Sequence, residues 1–167
     1  WYAEPAKVFD NLYFVGQTEY SAWAVNTSDG IILIDTIFDY SVEAEVVDGL
    51  KKLGLDPSKI KYAIVSHGHG DHSGGAKYLQ DRFGTRIIMG APDWELVGRS
   101  TRDPAPKRDI VASDGQKLTL GDTTLTLFLT PVAYLLLAGL SKPRAEESQR
   151  LEAELSRVGV AGPEAGG

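Results

Sequence analysis

Three histidines and an aspartate stand within six residues of this chain, at His67, His69, Asp71 and His72. They include every histidine among the 167 residues, and ordinary core packing has no reason to gather them. A single histidine in a turn is more often solvated than bound to a metal. Imidazole together with carboxylate suits Zn²⁺ better than it suits calcium or magnesium, which prefer all-oxygen sites. The four side chains are therefore predicted to form a metal site.

The segment before this cluster predicts where it lies in the fold. Residues 60–66 read Ile-Lys-Tyr-Ala-Ile-Val-Ser, and such a run of β-branched and aromatic residues is typical of a short strand. Ligands of open α/β sheets bind beyond the carboxyl ends of the strands. We therefore expect the cluster in the turn that follows a buried strand. Gly68 and Gly70 would permit a tight turn there through positive φ angles.

The rest of the first 131 residues alternates between strand and helix patterns, which predicts an α/β fold. Ser41 is the expected N-cap of the first helix, and Gly54 and Gly84 are the expected ends of the first two. A helix after His72 is expected to continue through residues 77–83. Further strands are predicted over 11–16, 30–35 and 86–89, further helices over 42–53 and 92–97, a polar loop over 99–109, and a late hairpin over 114–131.

The pattern His-x-His-x-Asp-His after a hydrophobic strand, with Ser73-Gly74-Gly75-Ala76 opening a helix, resembles the signature of the metallo-β-lactamase superfamily. The resemblance runs from about Pro5 to Pro131 and is greatest to the third subclass of metallo-β-lactamases. It implies an αβ/βα sandwich, of which this chain carries only the first αβ half.

The resemblance also assigns roles to the clustered residues. His67 and His69 would face one metal and Asp71 and His72 a second, as in two-metal hydrolases. A metal-bound hydroxide would open the amide of a β-lactam antibiotic, and Asp71, the expected catalytic residue, would orient it and pass its proton to the leaving amine. Asp35, at the end of an earlier strand, would hydrogen-bond a ligand histidine. The alternatives are another hydrolase, a lactonase or a thioesterase, and a degenerate metal-binding remnant without turnover.

The sequence departs from the family where each metal takes its third ligand. A strand does end in Thr130-Pro131, but Val132-Ala133-Tyr134 follow where the family has Gly-His-Thr, and no histidine comes after His72. Two protein ligands per ion are fewer than the three, plus water, of catalytic zinc. We therefore expect one or two zinc ions in an incomplete site, and both turnover and its loss stay open.

Residues 132–167 differ in composition from the rest. They contain no Ile, Asp, Thr, Asn, Phe or Trp and end in Ala-Gly-Pro-Glu-Ala-Gly-Gly, a sequence that packs against nothing. Leu151, Leu155 and Val158 have helical spacing, which predicts an amphipathic helix over 146–158. We expect an incomplete domain over residues 1–131, an atypical tail over 132–167, and a sheet face left open through which copies of the chain could form a homo-oligomer.

Charge and hydropathy narrow the range of partners. A net charge of −6 with dispersed Lys and Arg gives no basic stripe for nucleic acid. The apolar run at residues 132–140 is far shorter than the roughly 20 residues that a membrane span needs. The expected partner is a small-molecule substrate, a β-lactam by resemblance. The same resemblance implies a periplasmic or secreted location.

Overall fold

The computed structural model describes residues 2–102 and 104–128, whose central feature is a seven-stranded mixed sheet. The strands lie side by side in chain order: β1 (Ala6–Lys7), β2 (Leu12–Phe14), β3 (Trp23–Thr27), β4 (Gly30–Ile34), β5 (Ile60–Ile64), β6 (Arg86–Met89) and β7 (Ile110–Val111). The first four are antiparallel, and β4 through β7 are parallel. A separate antiparallel hairpin follows, formed by β8 (Lys117–Leu120) and β9 (Thr123–Thr126).

Helices connect the parallel strands, since strands of like direction cannot be joined by a tight turn. Between β4 and β5, a π-helical turn at Val42–Val47 runs into α1 (Asp48–Lys52), and a 3₁₀ turn at Pro57–Lys59 follows. Between β5 and β6 lie α2 (Gly70–Ser73) and α3 (Ala76–Phe83). Helix α4 (Ala91–Arg99) leads from β6 towards β7. Among the described residues, no helix is long and apolar enough to cross a membrane.

Apolar side chains cover both faces of the sheet. Leu33 and Ile87 belong to the cluster that includes the buried faces of α1, α3 and α4, whereas Ile32 and Ile88 pack with Leu118 of β8 on the opposite face. Successive strand residues point to opposite faces, so a strand buried on both sides is apolar throughout rather than alternating. Strand β4 is such a strand, and its carboxyl end therefore emerges from the centre of the fold.

The second face is only partly covered by the β8–β9 hairpin in the described part of the chain. Tyr62, Ile64 and Ile110 are half-buried there. Association of copies through this face stays a prediction. The predicted tail, its helix over 146–158 and the boundary after residue 131 lie outside the described residues.

Most predicted elements are confirmed. Strands are found within 11–16, 30–35, 60–66 and 86–89, a helical segment spans most of 42–53, and the helix predicted over 92–97 is longer than expected at Ala91–Arg99. Gly84 closes α3 in the left-handed conformation with φ 68°, and Gly54, φ 75°, follows α1 as predicted. Strands β1, β3 and β7 were not predicted, because β1 and β7 are two residues long and β3 contains Asn26, a residue type that is depleted in strands.

Two local expectations are wrong, and a third is confirmed only in position. Neither Gly68 nor Gly70 has a positive φ; Gly68 is needed instead because helix α4 approaches it closely. Ser41 is the N-cap residue as predicted, but its side chain makes no capping bond, since its hydroxyl donates to the Phe38 carbonyl, 3.4 Å away, in the preceding turn. Helix α2 begins at Gly70, so His72 lies inside a helical turn rather than ahead of one.

Candidate metal centre

The clustered residues follow the carboxyl end of β5, beside the end of β4. The Asp35 N–H donates to the Ile64 carbonyl at 2.8 Å, and the Val65 N–H donates to the Ile88 carbonyl at 2.9 Å, so pairing continues just past the strand ends. The chain then passes through His67 and His69 before α2 begins. Parallel strands place their carboxyl ends on one edge of the sheet, and this edge holds the candidate metal centre.

Three of the four predicted ligands converge. Ligand atoms of His67, Asp71 and His72 all lie within 4.8 Å of one another, and the three side chains are half-buried. The Nε2 atom of His72 is 3.5 Å from Oδ2 of Asp71. The ring of His69 is exposed and stands at the edge of this group, with its centroid 5.0 Å from that of His67. The converging group therefore contains His67 from the first expected pair and both Asp71 and His72 from the second. Their roles as metal ligands stay predictions.

Asp35 lies behind His72, away from Asp71. Its Oδ2 is 2.8 Å from Nδ1 of His72, and its Oδ1 accepts a hydrogen bond from the Ser66 N–H at 2.7 Å. Because a carboxylate can only accept, Nδ1 of His72 carries the proton of this hydrogen bond, and Nε2 is left as the nitrogen that a metal could bind. The contact expected for the strand-end aspartate is therefore present in the structure.

The loop after Asp35 also holds the backbone of His72. The Thr36 amide and hydroxyl both donate to the His72 carbonyl, each at 2.8 Å. Asp35 and Ile37 have φ angles of 62° and 51°, in the left-handed region that non-glycine residues, above all β-branched ones, seldom occupy. Such a conformation costs about 1–3 kcal/mol and persists only where the surroundings impose it. Thr36 was not predicted as part of the site, because its only signal in the sequence is its position directly after Asp35.

The electrostatics of the centre favour the neutral form of His67. Partial burial lowers the pKa of His67 below its usual range, and the neighbouring rings of His72 and His69 lower it further. A histidine must be neutral to bind a metal. The Ser66 hydroxyl, which was not predicted to belong to the site either, lies 3.4 Å from Nδ1 of His67 and 3.2 Å from Nδ1 of His72.

This set of donors fits zinc. Two imidazoles and one carboxylate match the three protein ligands of a catalytic zinc site, in which water takes the fourth position. The partial exposure of His67, Asp71 and His72 leaves that position open to solvent.

Comparisons with family models and with solved structures both find similarity to metallo-beta-lactamases. The family model described as the metallo-beta-lactamase superfamily matches residues 15–140. The structure of BJP-1, a subclass B3 metallo-beta-lactamase of Bradyrhizobium japonicum, is similar with a TM-score of 0.72 and 34% sequence identity. That similarity covers 77% of this chain and 52% of the other.

Two relatives with assigned activities are similar in sequence. The N-acyl homoserine lactonase AttM of Agrobacterium fabrum is 33% identical over 98 residues, which cover 51% of this chain and 36% of the relative. The probable metallo-hydrolase YybB of Bacillus subtilis is 28% identical over 117 residues, 65% of this chain and 50% of the relative. The chain thus spans half or less of the length of these relatives.

Proposed function

We propose, from the premise that this chain belongs to the metallo-beta-lactamase superfamily, that it is a zinc-dependent hydrolase that opens the amide of a β-lactam ring. The observation that carries the proposal is the convergence of His67, Asp71 and His72 at the carboxyl ends of β4 and β5. The position of Asp35 also supports the proposal, because its contact with Nδ1 of His72 directs Nε2 towards the other two candidate ligands.

Each of the clustered residues would have a stated role in zinc binding or in catalysis. His67 and His72, with Asp71, would hold the zinc ion, and His69 would complete the shell or begin a second site. Zinc, when bound, polarises a carbonyl and lowers the pKa of water towards about 7. Asp71 also has a partly exposed carboxylate, which can accept a proton from the attacking water and deliver it to the leaving nitrogen. No serine or cysteine nucleophile is required, and the chain contains no cysteine.

The choice of a β-lactam as substrate rests on similarity to solved structures. BJP-1 is a subclass B3 enzyme and matches this chain at 34% identity. The match to AttM, an N-acyl homoserine lactonase, favours lactone hydrolysis as the second candidate. Both reactions place an attacked carbonyl at the same metal centre and differ in the leaving group, nitrogen or oxygen. A metal-binding remnant without turnover is the non-enzymatic alternative.

The substrate class is tested with the zinc-loaded chain and a panel of β-lactams, an N-acyl homoserine lactone and a thioester. We expect β-lactam hydrolysis that a chelator abolishes and that Asp71→Asn lowers by about a hundredfold or more, because this variant loses the carboxylate that would both bind zinc and accept the proton. Turnover of the lactone alone would favour the second candidate. Bound zinc with no turnover of any substrate would favour the remnant.

Metal content provides a separate prediction. We expect fewer than two equivalents of zinc per chain after dialysis, because the three converging ligand atoms provide one site and no histidine follows His72 to complete a second. Elemental analysis of the dialysed protein measures this directly. Two tightly held ions per chain would mean that other groups complete both sites, for example from a neighbouring copy.

A further inference from the structure

The first turn of helix α4 contacts the loop that carries the candidate ligands. The backbone N–H of Gly68, the residue between His67 and His69, donates to Oδ1 of Asp93 at 2.9 Å. The two residues are 25 positions apart in the chain. This bond is therefore a tertiary link between the metal loop and a helix that supplies no ligand itself.

The contact is tight on both sides of that bond. A Cβ atom on Gly68 would lie 2.9 Å from the Asp93 carbonyl oxygen and 3.2 Å from a methyl group of buried Val97. Side chains larger than hydrogen therefore cannot be placed there without moving α4. The helix in turn is fixed to the sheet edge, because the indole of buried Trp94 donates to the Ile110 carbonyl at 2.9 Å.

We infer that Asp93 is a positioning residue for the metal centre, which holds the peptide unit between His67 and Gly68 in the orientation that zinc binding needs. The inference rests on the proposed zinc site. Its physical basis is that the bonded N–H belongs to the peptide unit that joins His67 to Gly68, so the bond fixes the backbone to which the ring of His67 is attached. Ligands held in place before the metal arrives bind it more tightly than ligands that must be ordered by it.

Asp93 carries two properties that a test must separate. It accepts the Gly68 hydrogen bond, and it places a negative charge at the N-terminal turn of α4, where charge stabilises a helix by itself. The substitution Asp93→Asn keeps an accepting oxygen without the charge, whereas Asp93→Ala loses both. Glu95 is a matched control, because it is an acid on the same helix that pairs with Arg108 and makes no contact with the metal loop.

The experiment measures zinc affinity of the full chain by competition with a chromogenic chelator for the parent, Asp93→Ala, Asp93→Asn, Glu95→Ala and His67→Ala. Visible spectra of the cobalt-substituted proteins report the geometry of the ligands, and melting of the metal-free proteins reports folding. We expect Asp93→Ala to weaken zinc binding about tenfold, in the range of residues that orient ligands, and to alter the cobalt spectrum. Asp93→Asn and Glu95→Ala should bind like the parent.

The outcomes separate the two proposals. If His67→Ala binds zinc as well as the parent, the proposed zinc site is wrong. If His67→Ala loses affinity while a folded Asp93→Ala keeps it, only the positioning role is refuted. Equal losses in Asp93→Asn and Asp93→Ala would assign the effect to charge and overturn the hydrogen-bond argument. Should Asp93→Ala not fold, Gly68→Ala disturbs the same contact from the loop side and is expected to weaken zinc in the same way.

Discussion

Replacement of His72 with alanine is expected to lower zinc affinity about a hundredfold. Structural zinc sites with four protein ligands bind with apparent free energies of about 10–16 kcal/mol, or roughly 3 kcal/mol for each ligand, and about 1.4 kcal/mol is a factor of ten. His72 is the candidate ligand with the most supporting contacts described here, because Asp35 contacts its ring and Thr36 donates twice to its carbonyl. Competition with a chelator measures the loss, and hydrolysis should fall with it.

A second variant distinguishes loss of the ligand from loss of its orientation. Asp35→Asn keeps the size of the side chain and removes the carboxylate that fixes the proton on Nδ1 of His72, so we expect a loss of about 10–100-fold. Asp81→Ala serves as a control, because this exposed acid pairs with Lys77 away from the centre. Unchanged zinc affinity in His72→Ala would exclude this histidine as a ligand.

Replacement of Gly75 with alanine should strongly destabilise the fold. A Cβ atom there would lie 2.6 Å from Cγ2 of Val42, which is fully buried, and closer still to the Thr36 carbonyl oxygen. A backbone carbonyl cannot rotate away as a side chain can, so α3 would have to move off the loop that follows β4. We expect about 3 kcal/mol of destabilisation, or roughly 10 °C in melting temperature.

A glycine in open surroundings provides the comparison. Gly98, in helix α4, has nothing within 4 Å of an added Cβ and no positive φ. Alanine is the better helix former there, so Gly98→Ala should raise stability by up to about 1 kcal/mol. Differential scanning calorimetry of both variants without metal gives the two values. If Gly75→Ala has the same melting temperature as the parent, then α3 does not pack closely against the loop that follows β4.

The predictable parts of the fold are those that a local pattern determines. The run Gly30–Ile34 has to be a buried strand because it is apolar at every position, and Gly84 ends a helix because its left-handed φ is available to glycine. The missed strands β1 and β7 have two residues each, too few to establish a period. The partner of β7 is also distant in sequence, since Ile110 pairs with Ile88, and local patterns do not identify such a partner.

The same limit applies to the candidate metal centre. His67, Asp71 and His72 were found from their spacing, because the motif itself is local. The acceptor for Gly68, Asp93, reads in the sequence as one more acid at the start of a helix. Likewise, the glycines of the motif indicated a turn with positive φ, whereas close approach of α4 is what requires Gly68. Local sequence patterns did not predict the contacts between elements, even where each element was correctly predicted.

The compactness of the motif has a thermodynamic consequence for the folding of this protein. All four candidate ligands fall within residues 67–72, so the denatured chain also carries them close together and can chelate zinc. A bound ion stabilises a fold only by the difference between its affinities for the native and denatured states. Zinc should therefore raise the free energy of unfolding by less than its native affinity alone implies. The difference in zinc affinity between the two states comes from contacts that only the folded chain makes. These are the contact of Asp35 with His72, 37 residues away, and that of Asp93 with Gly68, 25 residues away.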